Sequence, residues 1–268
     1  MNWLPILKGC AKRIREKVLP LIAKPEAAKT YGKGAGGDKM KEIDLIAEKA
    51  IIEILDKNKA SCTLISEEAG TVRIGRDHSE YYLTTDPIDG TTNAIRGLPF
   101  VATSLATSKA RNINSVDTAL VSDILRNITY TATRGQGAYR NNQKIKPSTE
   151  SSLKEAVIGI DLGTPKKEEL AAPFMGILQK ARHIRHLGAN ALEICYVADG
   201  TMDAFIDMRG KLRVTDAAAS YLILLEAGGT MTTPEGKELY APLTPSQTVS
   251  FIAASNKHLH GVIRKSSV

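Results

Sequence analysis

The stretch Thr85-Asp86-Pro87-Ile88-Asp89-Gly90-Thr91-Thr92-Asn93 limits what this chain can fold into more than any other. It follows a strand-like run, Tyr81-Tyr82-Leu83-Thr84, and sets two carboxylates three residues apart around a proline and a glycine. Proline restrains the turn, and glycine lets backbone come close to a ligand. Carboxylates held in this way suit a hard divalent cation. Thr91 adds a hydroxyl and a backbone N–H at the start of a helix, where phosphate binds well. Asp and Gly fill ordinary turns, so D-x-x-D-G alone says little. The full D-P-I-D-G-T-T string is far more specific.

Two further segments carry matching chemistry. Cys62-Thr63-Leu64-Ile65-Ser66 reads as a buried strand that delivers Glu67-Glu68 at its end. Val214-Thr215-Asp216-Ala217-Ala218-Ala219 opens an apolar helix, with Asp216 in or next to the N-cap position. Glu67, Asp86, Asp89 and Asp216 would repel one another and take up protons if brought together without counter-ions. Mg²⁺, which accepts a few carboxylates plus water and substrate phosphate, removes that conflict.

The rest of the chain is read from periodicity. Apolar Leu4, Leu7, Ala11, Ile14, Val18 and Leu21 mark a first helix, and Ile43, Ala47, Ala50, Ile51 and Ile54 a second, over about Met40 to Lys57. Between them, Gly32-Lys33-Gly34-Ala35-Gly36-Gly37 lacks the G-K-[ST] ending of a nucleotide-binding loop and a preceding strand, so it reads as a mobile active-site flap. Strands follow at Cys62–Ser66, Tyr81–Thr85, Val101–Thr107, Thr118–Ile124 and Ile128–Thr133. The polar segment Asn141–Ser152 is the best domain boundary, dividing 1–147, with most of the metal ligands, from 148–268, which completes the site. Beyond it, strands at Ala156–Ile160, Arg182–Arg185, Ala204–Asp207, Gly229–Thr232 and Ser250–Ala254 alternate with helices at Pro173–Ala181, Ala189–Ala198 and Asp216–Ala227. Such a mixture of α and β elements stacks in layers.

Composition excludes several function classes. No apolar run reaches the roughly 18–20 residues needed to cross a bilayer. Three cysteines, Cys10, Cys62 and Cys195, are widely spaced with no metal-knuckle pattern, which points to a reducing, cytoplasmic setting. The net charge is +7, of which residues 1–59 carry +5 (13 Lys and Arg against 8 Asp and Glu). Without a nucleic-acid motif, and with four Phe and one Trp to stack bases, that excess reads as solvated helix faces. Neither a nucleic-acid nor a membrane partner is expected. The five histidines show no ligand spacing, and none is assigned to metal or catalysis.

The E-E, D-P-I-D-G-T-T and D-x-A-A elements, with Gly135-Gln136-Gly137-Ala138-Tyr139 and Leu187-Gly188-Ala189-Asn190-Ala191-Leu192, resemble the inositol monophosphatase family of Mg²⁺-dependent, lithium-sensitive sugar phosphatases. The likeness runs from the first helix to Ala253-Ala254-Ser255-Asn256. It implies a layered α-β-α-β-α sandwich, a homodimer, and a first domain helix, not a transit peptide, at Met1 to Lys17. By the same resemblance, Glu67, Asp86 and the Ile88 carbonyl hold a first Mg²⁺; Asp86, Asp89 and Asp216 hold a second; Glu67 touches a third. Thr91 orients the attacking water with Asp44 behind it as relay, and the N–H groups of Gly90 and Thr91 cradle the phosphate. Gly188, Ala189 and Asn190 take hydroxyl and phosphate contacts, while Arg185, Asp207 and Arg209 complete the sugar rim.

Thr215 stands where animal members carry a tryptophan, and Asp207-Met208-Arg209-Gly210-Lys211-Leu212-Arg213 is longer and more basic than theirs. This resembles the archaeal branch, whose members hydrolyse both inositol phosphates and fructose 1,6-bisphosphate. A second phosphate is expected near those arginines, and Arg96, Lys166 and Lys167 are further candidates against the default of surface charge. The alternatives are a 3′-phosphoadenosine 5′-phosphate phosphatase, or a regulatory member that binds RNA machinery.

Overall fold

The structure is a computed structural model that describes residues 1–37, 39–76, 79–163 and 167–267. Its seven labelled helices are α1 (Trp3–Val18), α2 (Glu42–Lys57), α3 (Thr91–Arg96), α4 (Lys167–Lys180), α5 (Asn190–Ala198), α6 (Val214–Ala227) and α7 (Lys257–Ser266). The first half supplies strands β1 (Thr30–Lys33), β2 (Lys39–Lys41), β3 (Cys62–Ser66), β4 (Gly70–Ile74), β5 (Tyr82–Asp89), β6 (Ala102–Ser108), β7 (Val116–Asp123), β8 (Ile128–Thr133), β9 (Ala138–Arg140) and β10 (Gln143–Lys144). The second supplies β11 (Val157–Ile160), β12 (His183–Arg185), β13 (Ala204–Arg213), β14 (Thr230–Thr232) and β15 (Thr248–Ala254).

Strands β3 to β10 form one sheet in the order β10-β9-β8-β7-β6-β5-β3-β4, and β11 to β15 a second in the order β12-β11-β13-β15-β14. Helices α1 and α2 cover the outer face of the larger sheet; α5 and α6 lie between the sheets; α7, with α4 against it, covers the far face of the smaller one. The result is the expected five-layered α-β-α-β-α sandwich. Burial explains it. Every side chain of α6 from Val214 to Leu224 is buried, because both of its faces meet a sheet. The largest apolar cluster joins Val121 and Tyr130 of the first sheet, Leu192 and Leu222 of the middle helices, and Phe205 and Phe251 of the second sheet. The core is therefore continuous across residue 147. Cys10, Cys62 and Cys195 are buried free thiols, and burial pushes Cys10 and Cys62 up to about 12.

Three local expectations are corrected. The glycine loop does follow a strand, since β1 and β2 pair antiparallel around it as a hairpin. The polar boundary holds a short edge strand, β10, paired with β9. Strand β5 runs on through the D-P-I-D string to Asp89. Proline is tolerated there because the register against β6 slips, pairing Asp86 with Ser104 and Asp89 with Ala102.

Candidate active site

That slip aims the chemistry. Side chains alternate along a strand, so residues three apart ordinarily face opposite sides. Three steps on β5 against two on β6 insert one extra residue, and both Asp86 and Asp89 can then face the same cavity. Thr103 Oγ1 secures the bulge by donating to the Pro87 carbonyl at 2.8 Å. Gly90 then turns with φ of 89° to start α3; a Cβ there would lie 3.0 Å from the Phe100 carbonyl oxygen. Only glycine satisfies both the angle and the space.

The cavity, about 480 Å³, is walled by the end of β5, the starts of α3, α5 and α6, and the β1–β2 hairpin. Glu67, Asp86 and Asp216 each bring an oxygen within 4.8 Å of the others. Asp216 comes from the third position of α6, not from its cap: the helix starts at Val214, with Arg213 as N-cap. Thr215 Oγ1 donates to Asp216 Oδ1 at 3.0 Å. Burial pushes Asp86 well above the usual carboxylate range, and Asp216, Glu67 and Asp89 push it further. Asp216 is raised to about 6, again by burial first, although Arg213 pulls it down. Oxygen donors so placed, short of positive charge, fit a hard divalent cation.

Asp89 stands beside this group with a second task. Its Oδ1 accepts from the Asn190 N–H at 3.0 Å and its Oδ2 from the Ala191 N–H at 2.7 Å. It thereby satisfies the free donors at the start of α5 and ties the two halves of the chain together. Asn190 and Gly188 both line the cavity, and Asn190 Oδ1 is buried with no partner among the described residues. Ala189, the N-cap of α5, is fully buried.

Thr91 and Asp44 meet as expected. Thr91 Oγ1 lies 3.0 Å from Asp44 Oδ1 and 3.0 Å from the Ile88 carbonyl oxygen. Asp44 Oδ2 accepts from the Lys41 N–H at 3.0 Å. Burial raises Asp44 to about 6, so at neutral pH it is an anion able to take a proton.

The rim differs from the sequence expectation. Arg209, with a side chain 10% exposed, places Nη2 2.6 Å from Asp161 Oδ2 and 2.5 Å from Asp207 Oδ2. Asp207 is fully buried beneath it, so its carboxylate faces the guanidinium. Arg185 is exposed, outside the cavity lining, and Nη1 donates to the Ile184 carbonyl. Arg96 is exposed at the end of α3. Lys166 lies outside the described residues, and of Lys167 only its place at the start of α4 is described.

Cations from elsewhere fill the rim. Arg213 Nη1 lies 2.7 Å from Glu67 Oε1, and Nη2 donates to the Gly36 carbonyl at 3.3 Å. The Gly36 N–H in turn donates to the Glu67 carbonyl at 2.8 Å. Lys39 and Lys41 line the cavity from β2. The sequence reading found the flap but passed over its lysines. Their alternation, Lys39-Met40-Lys41, was the available sign, because strand residues two apart share a face.

With the geometry in place, comparison with known proteins settles the family. The model of the inositol monophosphatase family matches residues 3–268. The chain belongs to the inositol monophosphatase family. It is 35% identical over 266 residues to the fructose-1,6-bisphosphatase/inositol-1-monophosphatase of Methanothermobacter thermautotrophicus, covering 96% of this chain and 94% of that one. It is 36% identical over 228 residues, 82% of each chain, to the Nus factor SuhB of Escherichia coli. A crystal structure described as an inositol monophosphatase–fructose 1,6 bisphosphatase superposes with a TM-score of 0.87 at 31% identity, covering 99% of this chain and 100% of that one. Among the described residues no helix is long and apolar enough to cross a membrane.

Proposed function

We propose that the protein is a Mg²⁺-dependent phosphomonoesterase that hydrolyses inositol monophosphate and fructose 1,6-bisphosphate. The observation that carries this reading is the convergence of Glu67, Asp86 and Asp216 within 4.8 Å, beside Thr91 hydrogen-bonded to Asp44 at 3.0 Å. Family membership and the relatives that bear both activities in their names support the substrate pair. Glu67, Asp86, Asp216, the Ile88 carbonyl and the outer lone pairs of Asp89 would hold two or three ions. When bound, such ions neutralise phosphoryl charge and acidify water.

The chain's own groups do the rest. Asp44 accepts the Thr91 hydroxyl hydrogen, leaving the Thr91 lone pairs to orient a water and receive its proton. The Gly90 and Thr91 N–H groups, free at the start of α3, bind phosphoryl oxygens. Lys39 and Lys41 screen the anion from the flap side. Asn190 offers its unpartnered Oδ1 to a sugar hydroxyl. The protein is read as a cytoplasmic homodimer.

Phosphate release tests the proposal. Inositol 1-phosphate and fructose 1,6-bisphosphate should both be cleaved with Mg²⁺ and neither with EDTA. Preference for 3′-phosphoadenosine 5′-phosphate would move the substrate to the nucleotide alternative. No release from any of the three would favour a regulatory member, the reading that likeness to a Nus factor supports.

A further inference from the structure

We propose a second anion site, unconnected with the proposed reaction, in the groove between α1 and the β7–β8 face of the large sheet. This cavity, about 410 Å³, shares no residue with the acidic one. Lys8, Lys12 and Arg15 line it from α1. Their spacing of four and three residues puts all three on one helix face, spread over about 10 Å at 1.5 Å per residue. Arg15 Nε is held by the Ile124 carbonyl at 2.8 Å, which fixes the guanidinium at the groove's edge. Lys8 Nζ donates to Asn142 Oδ1 at 2.9 Å. The lining's single acid, Glu16, pairs outward with Arg13 at 3.6 Å.

The floor is what separates this groove from an ordinary basic patch. Ser122 and Thr131 are 4% and 5% exposed, line the cavity, and make no side-chain hydrogen bond within the described residues. Thr129, directly opposite Ser122 in the β7–β8 ladder, adds a third hydroxyl on the same face. These hydroxyls open onto the groove, where they are left to donate to whatever enters it. Hydroxyl donors beneath three cations suit the oxygens of a phosphorylated small molecule with more than one anionic group. A nucleic acid would need a longer track than the roughly 10 Å over which the α1 cations are spread.

Amide NMR on the full Mg²⁺-loaded protein, titrated with inorganic phosphate and pyrophosphate, tests the site where it lies. The signals of Ser122, Thr129 and Thr131 should shift saturably, with pyrophosphate half-saturating below about 1 mM. Lys12→Ala should weaken that response about ten-fold, the loss of one charge-assisted contact. Thr131→Val, or Ser122→Ala if the former misfolds, should weaken it several-fold, and none of these should alter phosphate release. A response that Lys12→Ala removes and both hydroxyl variants leave intact means a diffuse basic patch and overturns the proposal. Absence of saturation by about 10 mM does so too, as do shifts that follow protein concentration and not anion.

Discussion

Two groups of buried carboxylates lie within this fold, and they are built oppositely. Asp161 and Asp207 share one guanidinium, Arg209, at 2.6 and 2.5 Å. Burial raises Asp207, while the hydrogen bonds and charge of Arg209 pull it back. At Asp86 every principal influence pushes upward: burial, then Asp216, Glu67, Asp89 and Asp44. Against those carboxylates the chain sets Arg213, which stands at the Glu67 edge and also holds the flap. A carboxylate pair kept for structure carries its cation with it. The cluster around Asp86 is given no such matching cation at its centre by the described residues, which is what the proposed metal would supply.

Substitutions that separate the two groups should differ in kind. The largest effect is expected at Asp86. Asp86→Asn should lower phosphate release by several orders of magnitude while the metal-free protein melts no earlier than the parent, since one buried, repelled charge is gone. Near-normal turnover at millimolar Mg²⁺ would break the contrast outright.

Next come Thr91→Ala and Asp44→Asn. General-base assistance is worth about 10²–10⁴-fold in rate. Each variant should lose turnover in that range with Mg²⁺ affinity much less changed. The double variant should lose little more than either single one, because groups acting as a unit are non-additive. Losses that multiply would dissolve the pair.

Arg209→Ala should strike stability before activity. Removing one partner of a buried ion pair typically costs about 3–5 kcal/mol, which urea unfolding would register. Bisphosphate hydrolysis should fall only as far as the folded fraction falls. A selective loss of fructose 1,6-bisphosphate hydrolysis in a fully folded variant would restore Arg209 to the substrate rim.

That last contrast shows where sequence stopped short. The convergence of Glu67, Asp86 and Asp216 was legible because D-P-I-D-G-T-T, the Glu67-Glu68 strand end and the Asp216 helix lie in one order along the chain, whereas Asp44 was set behind Thr91 only by the resemblance to the family. Apolar periodicity likewise located the helices that fill the layers. The bulge at Pro87 was not legible, since a register slip is defined by the partner strand β6, not by the string itself. Arg209 and Arg213 stand in one basic run, yet one turns to Asp161 and the other to Glu67. Only the pairing of β13 with β15, irregular between Asp207 and Leu212, separates their directions. The hydroxyl floor under α1 was equally hidden, because Ser122 and Thr129 become neighbours only in the β7–β8 ladder.

The smallest effect, and the one with a definite sign, concerns pH. Asp44 and Asp216 are held at about 6 in the folded chain, against 3.8 for the free group, with burial as the first cause in each. The metal-free folded state therefore keeps protons that the unfolded chain releases. The resulting penalty is complete above about pH 6 and is relieved as pH falls through 6 toward 4. In EDTA the protein should accordingly gain stability, of order 1–3 kcal/mol, between pH 7.5 and pH 5. Mg²⁺ competes with those protons, and at a hundred times its Kd it adds about 2.7 kcal/mol. Melting curves taken in Mg²⁺ and in EDTA should thus lie furthest apart at pH 7.5 and draw together toward pH 5. Asp207→Asn, placed in the internally paired group, should leave that gap unchanged, whereas Asp216→Asn should close most of it. A gap that widens as pH falls would mean the cation binds somewhere other than the raised carboxylates.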